Sequence, residues 1–242
     1  VAMFDGEASV NVELNRAKET IITGTSSSNS VTIDAEKGQT ANVTLDNVNI
    51  DASDTNKAAV STEGVVSIEL DGNNTLQGGD GHAALEKWSN AVDESTADTR
   101  YKLTITDKDN NGSLTATGGA GGAGIGGGNG NYGSTITIDG GEVTANGDAG
   151  GAGIGGGKGN AGGYITITDG SVTANGNAGG AGIGGGNQGF AQVITVSGGD
   201  VTASAGKGGG AGIGSGDSTG TDTLMRATEI HITGGTVKAT GG

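Results

Sequence analysis

Six consecutive residues, Asp107-Lys108-Asp109-Asn110-Asn111-Gly112, set side-chain oxygens at alternate positions and end on glycine. Loops of this kind wrap hard cations, so Asp107, Asp109 and Asn111 are candidate ligands for a structural Ca2+. An EF-hand would need a bidentate glutamate where this chain has Gly118, and no helical pattern flanks the loop. The plain alternative is a turn between two strands, because Asp, Asn and Gly all favour turns. Asp71-Gly72-Asn73-Asn74 and Gly79-Asp80-Gly81 carry the same two readings.

Aromatic residues are the second candidate for chemistry. Tyr132, Tyr164 and Phe190 fall at about one repeat's spacing, and Tyr132 and Phe190 each stand four residues before an isoleucine of a recurring Thr-Ile strand. Three rings along one edge could stack on sugars, or could simply cover the ends of the core. Trp88, the single tryptophan, anchors its own segment or faces a ligand. Catalysis finds little support. A polysaccharide lyase needs a base beside cation-holding acids, and a hydrolase needs paired carboxylates. His82 and His231 lie far apart without a recognisable partner, and Lys158, Lys207, Arg226 and Lys238 are scattered. The expectation is a non-enzyme.

These residues must be positioned by a repeat. The heptapeptide Gly122-Ala123-Gly124-Ile125-Gly126-Gly127-Gly128 returns at 151–157 and 180–186, and at 210–216 with Ser215 replacing a glycine. Ile125, Ile154, Ile183 and Ile213 therefore recur at a nearly constant interval, and a fixed period of this size marks a solenoid. A phosphate-binding loop is a poor reading, since no helix pattern follows any copy. Each period adds two alternating segments, such as Thr135-Ile136-Thr137-Ile138 and Val143-Thr144-Ala145-Asn146, separated by glycines. Three short strands per rung of about 29 residues predict an all-β parallel β-helix. Alternation puts Ile136, Ile138, Val143, Ala145, Ala123 and Ile125 inward, and Thr135, Thr137, Thr144 and Gly124 outward. Outward Thr and bare glycine would give smooth faces able to pack on another protein, a crystalline polysaccharide or ice, or would reflect no more than good exposed strand residues.

The same grammar runs back into the first half with less glycine. Asn42 to Leu45, Val48 to Ile50 and Ala58 to Val60 make one rung, and Val66 to Leu70, Asn74 to Leu76 and Ala83 to Leu85 the next. The step from Leu85 to Ile125 is longer than one period, so residues 86–101 are read as an insertion, able to form a turn or two of helix. Residues 1–24 form an opening, capping rung, and 113–242 the regular glycine-rich repeats. About seven rungs are expected in a single domain, 1–242.

Composition narrows the partners. The formal charge is −15, with 54 glycines, no proline and no cysteine. Glycine without proline excludes collagen, and the acidity opposes nucleic acid and anionic membranes as partners. No apolar run is long enough to insert in a membrane. The last residues, Thr240-Gly241-Gly242, fall part-way through a repeat, as expected of a piece of a longer surface protein.

The segments VTLDNVNIDAS, DGNNTLQGG, GSLTATGG, GGAGIGGG and TITIDGGEVTANG resemble the β-helical domains of Gram-positive, clostridial-type cell-surface proteins. Those domains in turn resemble a carbohydrate-binding β-helix family related in shape to pectate lyases. The resemblance covers nearly the whole chain outside the N-terminal stretch 1–20 and the insertion. It implies a right-handed helix, extracellular at the cell surface or secreted, with calcium as a stabilising ion and plant or host polysaccharide as ligand. A non-catalytic adhesin or carbohydrate-binding domain is therefore the leading expectation. A polysaccharide lyase or depolymerase and a purely structural stalk are the alternatives.

Overall fold

A computed structural model describes residues 2–3, 10–13, 20–87, 101–218 and 229–242, with side chains from residue 20 onward. The described residues form strands, turns and loops with no helix. All strand pairs are parallel and fall in two sheets, one of 12 strands and one of eight. The chain is thus an all-β parallel β-helix. Eight strands in the smaller sheet give more turns than the seven or so expected. The excess lies in the first half, where Val10–Glu13 pairs with Val31–Asp34 and that strand pairs with Val60–Glu63.

The three extended pieces of a rung are present, but the first two often run together. Thr40–Asp51, Val65–Gln77, Thr135–Asn146 and Tyr164–Asn175 are single long strands bent at a corner. The corner between Thr135–Asn146 and Tyr164–Asn175 is a register shift that matches Asp139 to Asp169 and resumes at Glu142 and Ser171. Gly140 and Gly141 take φ of 145° and 85° there, a region that costs other residues strain. Elsewhere the bend separates two strands, as in Lys102–Thr106 and Gly112–Thr117.

Register stacks like on like. Val43, Ile68, Ile105, Ile138, Ile167, Val196 and Ile232 form one inward column. Val31, Val60, Leu85, Ile125, Ile154, Ile183 and Ile213 form another. Leu85 pairs with Ile125, so the chain from one to the other makes a single rung longer than the regular period. Apart from Ile213 and Ile232 at the C-terminal end, these side chains are buried almost without exposed surface, and each contributes about 2 kcal/mol of apolar burial. A third column passes from Ile50 and Leu76 to Ala116, Ala145, Ala174 and Ala203, so the core narrows toward the C-terminal end.

The glycine heptapeptide is not a flat outer strand. Each copy closes on itself, the amide of Ala123 donating to the carbonyl of Gly127, Ala152 to Gly156, Ala181 to Gly185 and Ala211 to Ser215. The isoleucine sits at the inward apex of this loop. Amides of the neighbouring turns bond across it, Lys158 to Gly121 and Asn187 to Gly150, and all seven residues of 122–128 are buried. The outward assignment of Gly124 is therefore corrected. A Cβ there would come within 2.6 Å of the Asn146 nitrogen and 2.8 Å of the Ala116 carbonyl, so this glycine permits two walls to approach.

Candidate functional site

Two regions gather the residues singled out by chemistry, and both are set by the stacking of rungs. At the first, Lys102–Thr106 lies beside Val65–Gln77 with Thr106 opposite Glu69. This register brings Glu69 to the turn that follows Thr106. Carboxylate oxygens of Glu69, Asp107 and Asp109 all lie within 4.8 Å of one another. Glu69 accepts bonds from the Thr106 hydroxyl at 2.5 Å and the Lys108 amide at 2.7 Å. The Lys108 ammonium stands 3.1 Å from the same carboxylate. Burial would raise the Glu69 carboxyl, but the Lys108 amide, the Thr106 hydroxyl and the Lys108 ammonium outweigh it and hold its pKa below the usual value.

Asp107 is buried and closes the turn, its two oxygens accepting the amides of Asn111 and Gly112 at 3.1 Å each. Asn110 takes the left-handed conformation, φ 57°, that such a turn requires. The Asn111 side chain donates its amide to Asp109 at 3.1 Å. The geometry thus realises the turn, and Glu69 joins Asp107 and Asp109 as a third acid from the adjacent rung. Three hard carboxylates suit Ca2+, with Lys108 competing for Glu69.

Further acid–base groups sit where the wide rungs meet the narrow ones. The smaller sheet uses four residues in Val31–Asp34 and Val60–Glu63, three in Leu85–Lys87 and two in Ile125–Gly126. Glu86 and Lys87, counted at the sequence level as the start of the insertion, are strand residues. Glu86 is buried and accepts from His82 Nδ1 and the Ala83 amide, both at 3.0 Å. That bond, opposed by burial and aided by the charges of Glu86 and Asp80, raises the His82 pKa. Lys87 is wholly buried, and its ammonium donates to the carbonyls of Thr62 at 3.3 Å and Gly64 at 2.6 Å. Burial, against the attraction of Glu63 and Asp34, pushes its pKa down to about 8.

The second region is the corner where the heptapeptide loop leads into the Thr-Ile strand. Leu103, Ile136, Ile165 and Ile194 share an inward column and provide a common register. Tyr132, Ala161 and Phe190 stand four residues before it on successive rungs, and Tyr164 one residue before it beside Thr135 and Val193. The three predicted rings thus share a corner but not one column. Tyr101, two residues before Leu103 and 41% exposed, joins them. Tyr132 is 36% exposed, while Tyr164 and Phe190 are half-buried. All four aromatic residues with described side chains lie at this corner, one on each of four consecutive rungs. Trp88 lies outside the described residues, as does the helix expected around it.

A family model described as a β-helix repeat matches residues 136–158, 165–187, 194–217 and 230–242. The four matches fall on successive rungs and restart with the Thr-Ile strand, which agrees with the pairing of Ile136, Ile165, Ile194 and Ile230. No curated protein and no solved structure matches the chain.

Proposed function

We propose that this β-helix is a non-catalytic, extracellular carbohydrate-binding domain of a bacterial surface protein, with the aromatic corner as its binding face. The observation that carries this reading is the collection of Tyr101, Tyr132, Tyr164 and Phe190 on one edge of a molecule otherwise almost free of aromatic residues. Exposed aromatic faces offer large, rigid apolar area at little entropic cost, which is what the apolar faces of sugars require. The stacked rungs behind them supply a stiff support. A panel of immobilised polysaccharides tests it: the domain is retained by at least one, and the double variant Tyr132→Ala/Phe190→Ala is not. Retention unchanged in that variant, or no retention by any polysaccharide, would remove the claim.

The acidic turn is proposed as a weak Ca2+ site that ties two rungs together through Glu69, Asp107 and Asp109. Bound only by the folded state, the ion raises stability in proportion to its occupancy. Millimolar Ca2+ is expected to raise the melting temperature by a few degrees, and Glu69→Gln to abolish the rise. Identical melting in Ca2+ and in chelator disposes of the ion and leaves Lys108 as the partner of Glu69.

A further inference from the structure

We infer that the ligand of the aromatic corner is a neutral, extended glycan lying parallel to the solenoid axis, an inference that rests on the carbohydrate-binding reading above. The four rings advance one rung at a time, so they cover about 14 Å along the axis at about 4.8 Å per rung. Around the contour they span three residue positions, at most about 10 Å of extended chain. A strip longer along the axis than across it matches a linear polymer laid lengthwise. The rise per rung is also close to the length that one pyranose adds to an extended chain, so each sugar meets one ring.

Finer placement agrees with a ribbon-like polymer. Tyr132 and Phe190 occupy the same contour position two rungs apart, with the small, buried Ala161 between them. In a flat glycan ribbon the same sugar face returns at every second unit, which is the interval these two rings provide. Tyr164, displaced along the contour on the intervening rung, meets the unit that is turned over.

Charge decides between neutral and acidic glycans. Residues 127–137 and 185–195 contain no Asp, Glu, Lys or Arg, 156–166 contain only Lys158, and on the Tyr101 rung Lys102 stands beside Thr135. The described corner rungs thus carry few charges on a chain of net charge −15. A polyuronate would find two lysines there, Lys102 and Lys158, against the repulsion of the whole molecule, whereas a neutral chain is not repelled.

The test is calorimetric titration of the whole chain with linear β-1,4-linked gluco-oligosaccharides of two to six units, and in parallel with oligogalacturonates of equal length. Affinity is expected to rise with each glucose to about four units and then level, with little response to salt. Tyr132→Ala and Phe190→Ala should each weaken binding about tenfold, equivalent to about 1.4 kcal/mol. Binding that ignores length, or oligogalacturonates that bind as well or better, overturns the inference. The carbohydrate-binding reading then survives if Tyr132→Ala still weakens the interaction. Failure of both series, together with polysaccharides that retain the double variant as well as the parent, overturns inference and reading alike.

Discussion

Lys87 occupies an inward position in the column of Ile33 and Thr62, where the preceding rung offers the carbonyls of Thr62 and Gly64. Its folded pKa of about 8 lies below the ordinary lysine value of 10.5. Between those values the unfolded chain keeps a proton that the folded chain has lost, so stability rises with pH across that window, by about 3 kcal/mol in full. Urea denaturation of the parent and of Lys87→Met at several alkaline pH values checks this, the rise being absent in the variant. His82 acts in the opposite sense. Its folded pKa is raised, so its bond to Glu86 contributes stability that is complete below the ordinary value near 6.5 and fades as pH climbs through the folded value. An NMR titration should find its imidazole titrating above that of an unstructured histidine, and Glu86→Gln should remove the difference. Neither pair was legible beforehand, because His82 and Glu86 meet only across the bend at Ala84, and Lys87 reaches back to an earlier rung. Glu69 was missed for a related reason: it precedes Asp107 by more than a regular period, which hides that their rungs are neighbours.

At the scale of elements, glycine has two jobs that sequence alone does not separate. Gly126 stands with φ 131° and would place a Cβ 2.1 Å from the Gly155 carbonyl on the next rung. Gly130 also has positive φ, 77°, but nothing lies within 4 Å of its Cβ position. Gly126→Ala is therefore expected to break rung stacking and prevent a cooperative melt. Gly130→Ala should cost only about 1 kcal/mol of backbone strain. Circular dichroism melts of the two variants distinguish them, and equal effects would contradict the close approach. Ile154→Ala, which empties a buried apex, should cost about 2–5 kcal/mol. The inward isoleucine column was legible because its period survives every turn. The covering of its outer side was not, since loop-to-loop bonds such as Lys158 to Gly121 depend on how neighbouring turns overlap. The outer wall was read more easily. Thr75, Thr115, Thr144, Thr173 and Thr202 stack in one column. Beside them Asn175 donates to Asn146 at 2.9 Å and Asn146 to Thr117 at 3.4 Å, a ladder of side-chain bonds from rung to rung.

For the whole molecule, each rung touches chiefly its two neighbours, so stability accumulates along the axis and one period can be removed. Deleting residues 154–182 joins Gly153 to Ile183 and restores the heptapeptide, with Ile125 then stacking on Ile183. The shortened chain should keep its strand spectrum and elute as a slightly smaller particle; aggregation or loss of cooperative melting would count against the repeat as an interchangeable unit. The stack also governs enzymatic digestion. Between residues 113 and 218 the only basic residues are Lys158 and Lys207, both exposed in loops. The Lys158 amide donates to Gly121, its carbonyl accepts from Gly130, and the next amide donates to Asn187, so the scissile bond is pinned to rungs on both sides. Lys207 is held by no such bonds among the described residues. A protease must pull several residues into its cleft, so trypsin should cut after Lys207 long before Lys158. Because the strands on either side of such a nick remain zipped to their neighbours, the severed pieces should still migrate as one body until denaturant parts them.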